Sequence, residues 1–222
     1  RQSQLFLLLR ADIQQQQHQF TAALHTLDLV FNHEPQHIQA SLMAARVHLA
    51  MQQLDAAQQA CGRLWQPDLF LFSVCSYEVA GRRGGWQQSY AALKQLWQQQ
   101  QALPRELDNW LRGILAEQAE QLGLVATAQQ WLAPILTQAP TSLWLKWADL
   151  SMELGQAQLV YQQISALAQN QAVSDSLLLR LTRAEQQIAL NPMFSTQLAQ
   201  RMQVRLARGD TDHAADLVQY FL

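Results

Sequence analysis

Apolar residues recur at steps of three and four along most of the chain. In residues 4 to 32 the row Ala23, Leu24, Leu27, Val30 and Phe31 closes shortly before Pro35, the pattern of an amphipathic helix pair followed by a stop. Sustained apolar–polar alternation is missing, as are Asn-Gly and Asp-Gly turns, and clusters of Val, Ile and Thr are few, so strands are not expected. The fold class that follows is all-α.

The helical segments repeat with a period of roughly 34 to 36 residues, the length at which one helical hairpin stacks on the next and buries a face it cannot bury alone. Pro35, Pro67, Pro104 and Pro140 punctuate the units, and Ala23, Ala57, Ala92 and Ala128 place a small residue early in successive second helices. With these features the chain resembles the tetratricopeptide repeat. The best match is residues 109 to 140, with Ala116 at the small position of the first helix, Gly123 at the turn, then Ala128, Leu132, Ile135 and the closing Pro140. The first unit matches through Ala11, Ala23, Leu27, Val30 and Pro35, the second through Ala45, Ala57, Cys61 and Leu64, the third through Ala80, Ala92, Leu96 and Pro104. The fifth keeps Trp144, Ala148 and Gly155 but has Val160 where Ala is usual.

The resemblance implies a single α-solenoid over 1–222, a right-handed superhelix of about five to six hairpins with approximate repeats 4–37, 38–72, 73–108, 109–140, 141–173 and 174–222. The last boundary has two phasings. Segments 174–190 and 193–208, parted by Asn191-Pro192, form one hairpin, or Gly209, Asp210 and Ala214 mark a turn and small position that make 193–208 a first helix. The chain opens at Arg1 within a helical pattern, so it is expected to be a piece of a longer protein.

Composition narrows the function. Only 14% of residues are charged, 49% are hydrophobic, and 38 glutamines supply the remaining polarity. A net charge of -2 provides no long-range field to attract nucleic acid. The apolar run Leu5 to Leu9 is far shorter than the roughly 20 residues of a membrane span. A Gln-rich, weakly charged surface permits self-association into a homodimer.

The motifs that could carry chemistry mostly dissolve on inspection. Glu117 and Glu120 lie side by side on one helix and cannot straddle a substrate bond. Gly81-Arg82-Arg83-Gly84-Gly85 lacks the Gly-Lys-Ser/Thr ending of a phosphate loop and reads as a turn with both arginines exposed. His33, Glu34 and His37 are split by Pro35 and are not expected to bind metal. Arg201, Arg205 and Arg208, with Arg180 and Arg183 in the preceding helix, are the one basic concentration, read as a solvated face or a contact for an acidic protein. No catalytic motif and no cofactor are expected.

Cys61 and Cys75 sit at similar distances on either side of the Pro67 turn, in the second helix of one unit and the first helix of the next. Two readings stand open: a disulfide, which would place the protein in an oxidising compartment, and two buried free cysteines. By resemblance, the inward-facing positions of the first helices are Leu42, Arg46, Tyr77, Trp110, Glu117, Leu145 and Asp149. They imply a concave groove for a peptide or helix of a protein partner, with aromatic anchors. The expected function is a protein–protein interaction scaffold, in the periplasm or cell envelope rather than the cytoplasm. The alternative is a ligand- or peptide-sensing domain of a larger protein, and last an enzyme on a helical scaffold.

Overall fold

The computed structural model describes residues 3–170, 172–188 and 193–209, with 218 and 220. Asn191-Pro192, Asp210 and Ala214 therefore lie outside the described residues. Among those described, every regular element is a helix, and the helices fall into two compact units, Arg1–Leu103 and Pro104–Leu222. Each is a stack of antiparallel hairpins, so the chain is an all-α helical-repeat solenoid.

The first unit holds α1 (Gln4–Gln16) with α2 (Phe20–Phe31), α3 (Ile38–Ala50) with α4 (Leu54–Gly62), and α5 (Leu69–Arg82) with α6 (Trp86–Gln98). The second holds α7 (Arg105–Gln121) with α8 (Val125–Leu132), which runs on as a 3-10 turn over Ala133–Gln138, then α9 (Thr141–Glu153) with α10 (Ala157–Asn170), and α11 (Asp175–Gln187) with α12 (Met193–Arg208). Side chains begin several of them. Ser3, Asp68 and Ser174 accept the N–H three residues on, at 3.2, 2.9 and 3.3 Å, which satisfies donors a helix start leaves open. Pro104 and Pro140 stand directly before α7 and α9, so these prolines open first helices rather than stop the ones before.

Five hairpins turn in the same way. His18, Gln52, Gly84, Gly123 and Gly155 all have positive φ, between 57° and 98°. In each, the N–H of that residue bonds the carbonyl three back and the next N–H bonds the carbonyl five back, the hydrogen-bonded C-terminal closure that a left-handed residue permits. These turn residues give a register independent of side-chain resemblance. Seven residues before them stand Ala11, Ala45, Tyr77, Ala116 and Ala148, and five after them Ala23, Ala57, Ser89, Ala128 and Val160. The latter five are all buried, which leaves room for the first helix to cross closely.

This register corrects the expectation for the third hairpin. Ser89, 2% exposed, occupies the small position there, and Ala92 is only half-buried. Val160 fills the same place in the fifth hairpin with no exposed surface.

Within the first unit, α1, α3 and α5 lie side by side as one layer, and α2 and α4 each also pack on the first helix that follows. In the second unit α9 and α11 adjoin in the same manner. Gly113 of α7 brings Leu143 of α9 so near that a Cβ would stand 3.1 Å from its Cδ2. In the second unit α11 lies beside α9 and α12 packs on α11, and Gly209 after α12 has a positive φ of 65° with its N–H bonded to the Leu206 carbonyl at 3.1 Å.

Candidate functional site

In a stack of hairpins the first-helix layer is the surface where side chains of successive repeats line up, so the candidate residues divide between the two units. In the first, Leu42 is half-buried and Arg46 exposed on α3. Tyr77 on α5 is 38% exposed, and the turn register sets it level with the buried Ala45. The residue of α5 level with Arg46 is Glu78, and the residue of α1 is Asp12. Asp12, Arg46 and Glu78 thus follow one another at a single position of three adjacent helices, alternating in charge. Resemblance alone passed over Asp12 and Glu78; the signal that finds them is the positive-φ turn residue, counted back six places.

In the second unit Trp110 and Glu117 are half-buried on α7, Leu145 is half-buried on α9, and Asp149 is exposed on α9. Asp149 holds Arg180 of α11 through two parallel bonds, Nε to Oδ1 and Nη2 to Oδ2, each 3.0 Å, the bidentate geometry that suits guanidinium and carboxylate. The Arg180 side chain is 12% exposed and that of Asp149 50%, so the pair is fixed from the arginine side while the carboxylate meets solvent. A shallow cleft of about 570 Å³ opens there, lined by Asp149, Met152, Arg180, Arg183, Gln186 and Gln187. Lys146 pairs with Glu120, and Arg112 with Asp108 at 2.8 Å.

The basic concentration is largely neutralised within the fold. Arg180 goes to Asp149, and Arg201 and Arg205 converge on Asp175 at 3.2 and 3.5 Å, with Arg201 also donating to the Val173 carbonyl at 2.9 Å. Arg83 pairs with Asp55 at 2.6 Å, and Gly81 and Arg82 belong to α5, so the turn is shorter than its glycines imply.

Sequence reasoning also missed a second cleft, of about 580 Å³, between α2 and α4 of the first unit, with Leu24, Asp28, Phe31, Gln59 and Arg63 on its walls. Arg63 closes one side: its guanidinium lies 4.1 Å over the Phe31 ring and donates to the Pro35 carbonyl at 2.9 Å. Cys61 of α4 and Cys75 of α5 are joined as a disulfide with Cα atoms 5.6 Å apart, and both are buried. Among the described residues no group of three or more His, Cys, Asp and Glu is placed to hold a metal ion, and no helix is long and apolar enough to cross a membrane.

Stacked hairpins closed by left-handed turns define a helical-repeat protein. A family model described as "Tetratricopeptide repeat" matches residues 14–68; the chain carries that repeat and has its fold. Similar solved structures include PilF of Pseudomonas aeruginosa, at TM-score 0.60 and 16% identity over 96% of this chain and 93% of that one. PilW, described as a widely conserved type IV pilus biogenesis factor, aligns at TM-score 0.62 and 14% identity over 93% and 96%. A thermophilic tetratricopeptide protein of Thermus thermophilus aligns at TM-score 0.58 and 16% identity over 89% and 98%. No curated protein matches the sequence.

Proposed function

We propose that the protein is a non-catalytic scaffold whose first-helix faces hold an extended or helical segment of a protein partner. On the first unit Leu42, Arg46 and Tyr77 would contact it, with Asp12 and Glu78 in the same row. On the second unit Trp110, Glu117, Leu145 and Asp149 would do so. The observation that carries the reading is the Asp149–Arg180 pair on the first-helix layer, beside an open cleft: a fixed, half-exposed carboxylate with polar neighbours suits recognition of a partner's side chains more than bond chemistry.

The place of work is the periplasm or cell envelope. Two observations support this: the buried Cys61–Cys75 disulfide, which persists in oxidising compartments, and the likeness in fold to a type IV pilus biogenesis factor. On this reading the partner is a component of an envelope assembly. The test is affinity capture from extract of the native organism, comparing the chain with a variant carrying Arg46→Ala, Trp110→Ala and Glu117→Ala. A partner held by the first and lost from the still-folded variant supports the reading. Identical partners on both would remove these residues from the site.

A further inference from the structure

The cleft between α2 and α4 is open because small residues stand where other hairpins have larger ones. Ala44, in its floor, lies eight residues before its turn residue, where α5 has Ser76 and α9 has Trp147. Ala56, four residues after its turn residue, is matched by Gln88 in α6 and Leu159 in α10, and Leu24, six after, by Gln58 in α4 and Gln129 in α8. Between α4 and α5 the corresponding place is bridged, Gln58 Nε2 donating to Ser76 Oγ at 3.1 Å. Leu24 and Ala44 carry no side-chain polar atom, so here the floor is apolar and unbridged. The space of about 580 Å³ falls within the roughly 300 to 1,000 Å³ usual for small-molecule sites.

The cleft has two unlike ends. Leu24, Asp28 and Phe31 follow at steps of four and three along α2, and Ala56, Ala60 and Arg63 do the same along and just past α4; seven residues of helix span about 10 Å. Leu24 and Ala56 make one end apolar. Toward the other, Asp28 is exposed and in no ion pair among the described residues, although a guanidinium stands on the facing wall. Arg63 is held in place by the Phe31 ring and one bond to the Pro35 carbonyl, which leaves most of its five N–H donors for another acceptor. A carboxylate and a guanidinium that line one cleft without pairing suit a ligand that carries both complementary charges, and the apolar floor suits a hydrocarbon group on the same ligand.

We infer that the cleft between α2 and α4 binds a small zwitterion with an apolar body, the class of the apolar α-amino acids: the ammonium on Asp28, the carboxylate on the Arg63 guanidinium, and the side chain along Leu24 and Ala56. Ala44 lies two residues from both Leu42 and Arg46, about 200° round α3 from each. The site is therefore on the other side of that helix from the groove proposed above, and it does not depend on that reading.

The test titrates the full protein with L-leucine and, separately, L-phenylalanine while recording amide NMR spectra. The expected result is saturable shifts at the amides of residues 24–31 and 56–63. Leucine amide, which lacks the carboxylate, and N-acetyl-leucine, which lacks the ammonium, should each bind about tenfold or more weakly, the worth of one charge-assisted hydrogen bond. Asp28→Asn should weaken leucine by about that factor and leave N-acetyl-leucine unchanged, whereas Arg63→Gln should weaken leucine and leave leucine amide unchanged. Because Asp28 is exposed and in no ion pair, its variant should melt as the parent does. Arg46→Ala, a groove variant, should alter none of these titrations. No saturation by millimolar leucine or phenylalanine, shifts confined to other helices, equal binding of N-acetyl-leucine amide, or variants that fail to show the crossed pattern would each overturn the inference.

Discussion

Glu185 near the end of α11 accepts the backbone N–H of Ser195 at 3.0 Å and its hydroxyl at 2.8 Å, while the other carboxylate oxygen takes the N–H groups of Met193 and Phe194 at 2.9 and 3.1 Å. One buried side chain, 1% exposed, thus satisfies the open donors of the first turn of α12 and sets a negative charge at its positive end.

Burial alone would raise the Glu185 pKa; the bonds from Phe194, Ser195 and Met193 outweigh it and hold the group below its ordinary value. A depressed folded value means that the stabilisation is complete above the unfolded value and is lost as pH falls through the folded one. Glu185→Ala should destabilise the protein by about 2 to 4 kcal/mol at neutral pH, because three helix-start donors lose their partner. Thermal melts of wild type and Glu185→Gln from pH 7 to pH 3 check the sign. The wild-type advantage should hold steady near neutrality and shrink only below the ordinary glutamate value of 4.5. An advantage that grows with acid would contradict the geometry.

The repeated turn makes a second prediction. His18 and Gln52 adopt φ of 57° and 58° at the place where three other hairpins have glycine. A side chain there pays about 1 kcal/mol of backbone strain that glycine avoids. His18→Gly and Gln52→Gly should each stabilise by a few tenths to about 1 kcal/mol, and Gly123→Ala should destabilise by about 1 to 2 kcal/mol. Urea unfolding of the three variants measures this; stabilisation by Gly123→Ala would show that the turn is not left-handed.

The register of the third hairpin is tested by size. Ser89 is buried where α6 crosses α5, while Ala92 is half-exposed. Ser89→Leu should therefore cost about 1 to 3 kcal/mol through overpacking, and Ala92→Leu should stay within about 0.5 kcal/mol of the parent. The reverse order in denaturant midpoints would restore the register based on Ala80 and Ala92.

That hairpin also marks how far the chain can be read without coordinates. The helices, their pairing and most small positions follow from apolar steps of three and four and from alanines twelve residues apart, because these features come from local geometry that every hairpin shares. In the third hairpin Ala80 and Ala92 keep the twelve-residue spacing by coincidence, three residues away from Tyr77 and Ser89, and only the conformation of Gly84 breaks the tie. The slip carries to the surface: it sets Tyr77 level with Leu42 and Gly81 level with Arg46, where the turn register sets Tyr77 level with Ala45 and Glu78 level with Arg46. The Asp149–Arg180 pair was out of reach for another reason, since it depends on α9 and α11 lying side by side, and the phase of α11 hung on residues at a helix break. Charged neighbours 31 residues apart in sequence leave no local pattern.

The Cys61–Cys75 bridge ties the second hairpin to the third, closing a loop across a sequence separation of 14. Cross-linking a loop of about that length restricts the unfolded chain by about 3 kcal/mol, a large share of the stability of a small helical unit. Cys61→Ala with Cys75→Ala should lower the unfolding free energy by about that amount, more than either alanine would through lost packing. Reduction of the wild type should give the same loss only after partial unfolding, because both sulfurs are buried. Mass spectrometry of the unreduced protein after alkylation decides whether the bridge is present: an unmodified chain that takes up two labels only after denaturation and reduction supports it. Two labels without reductant would mean free thiols, and the support that the bridge lends to an oxidising compartment would go with it.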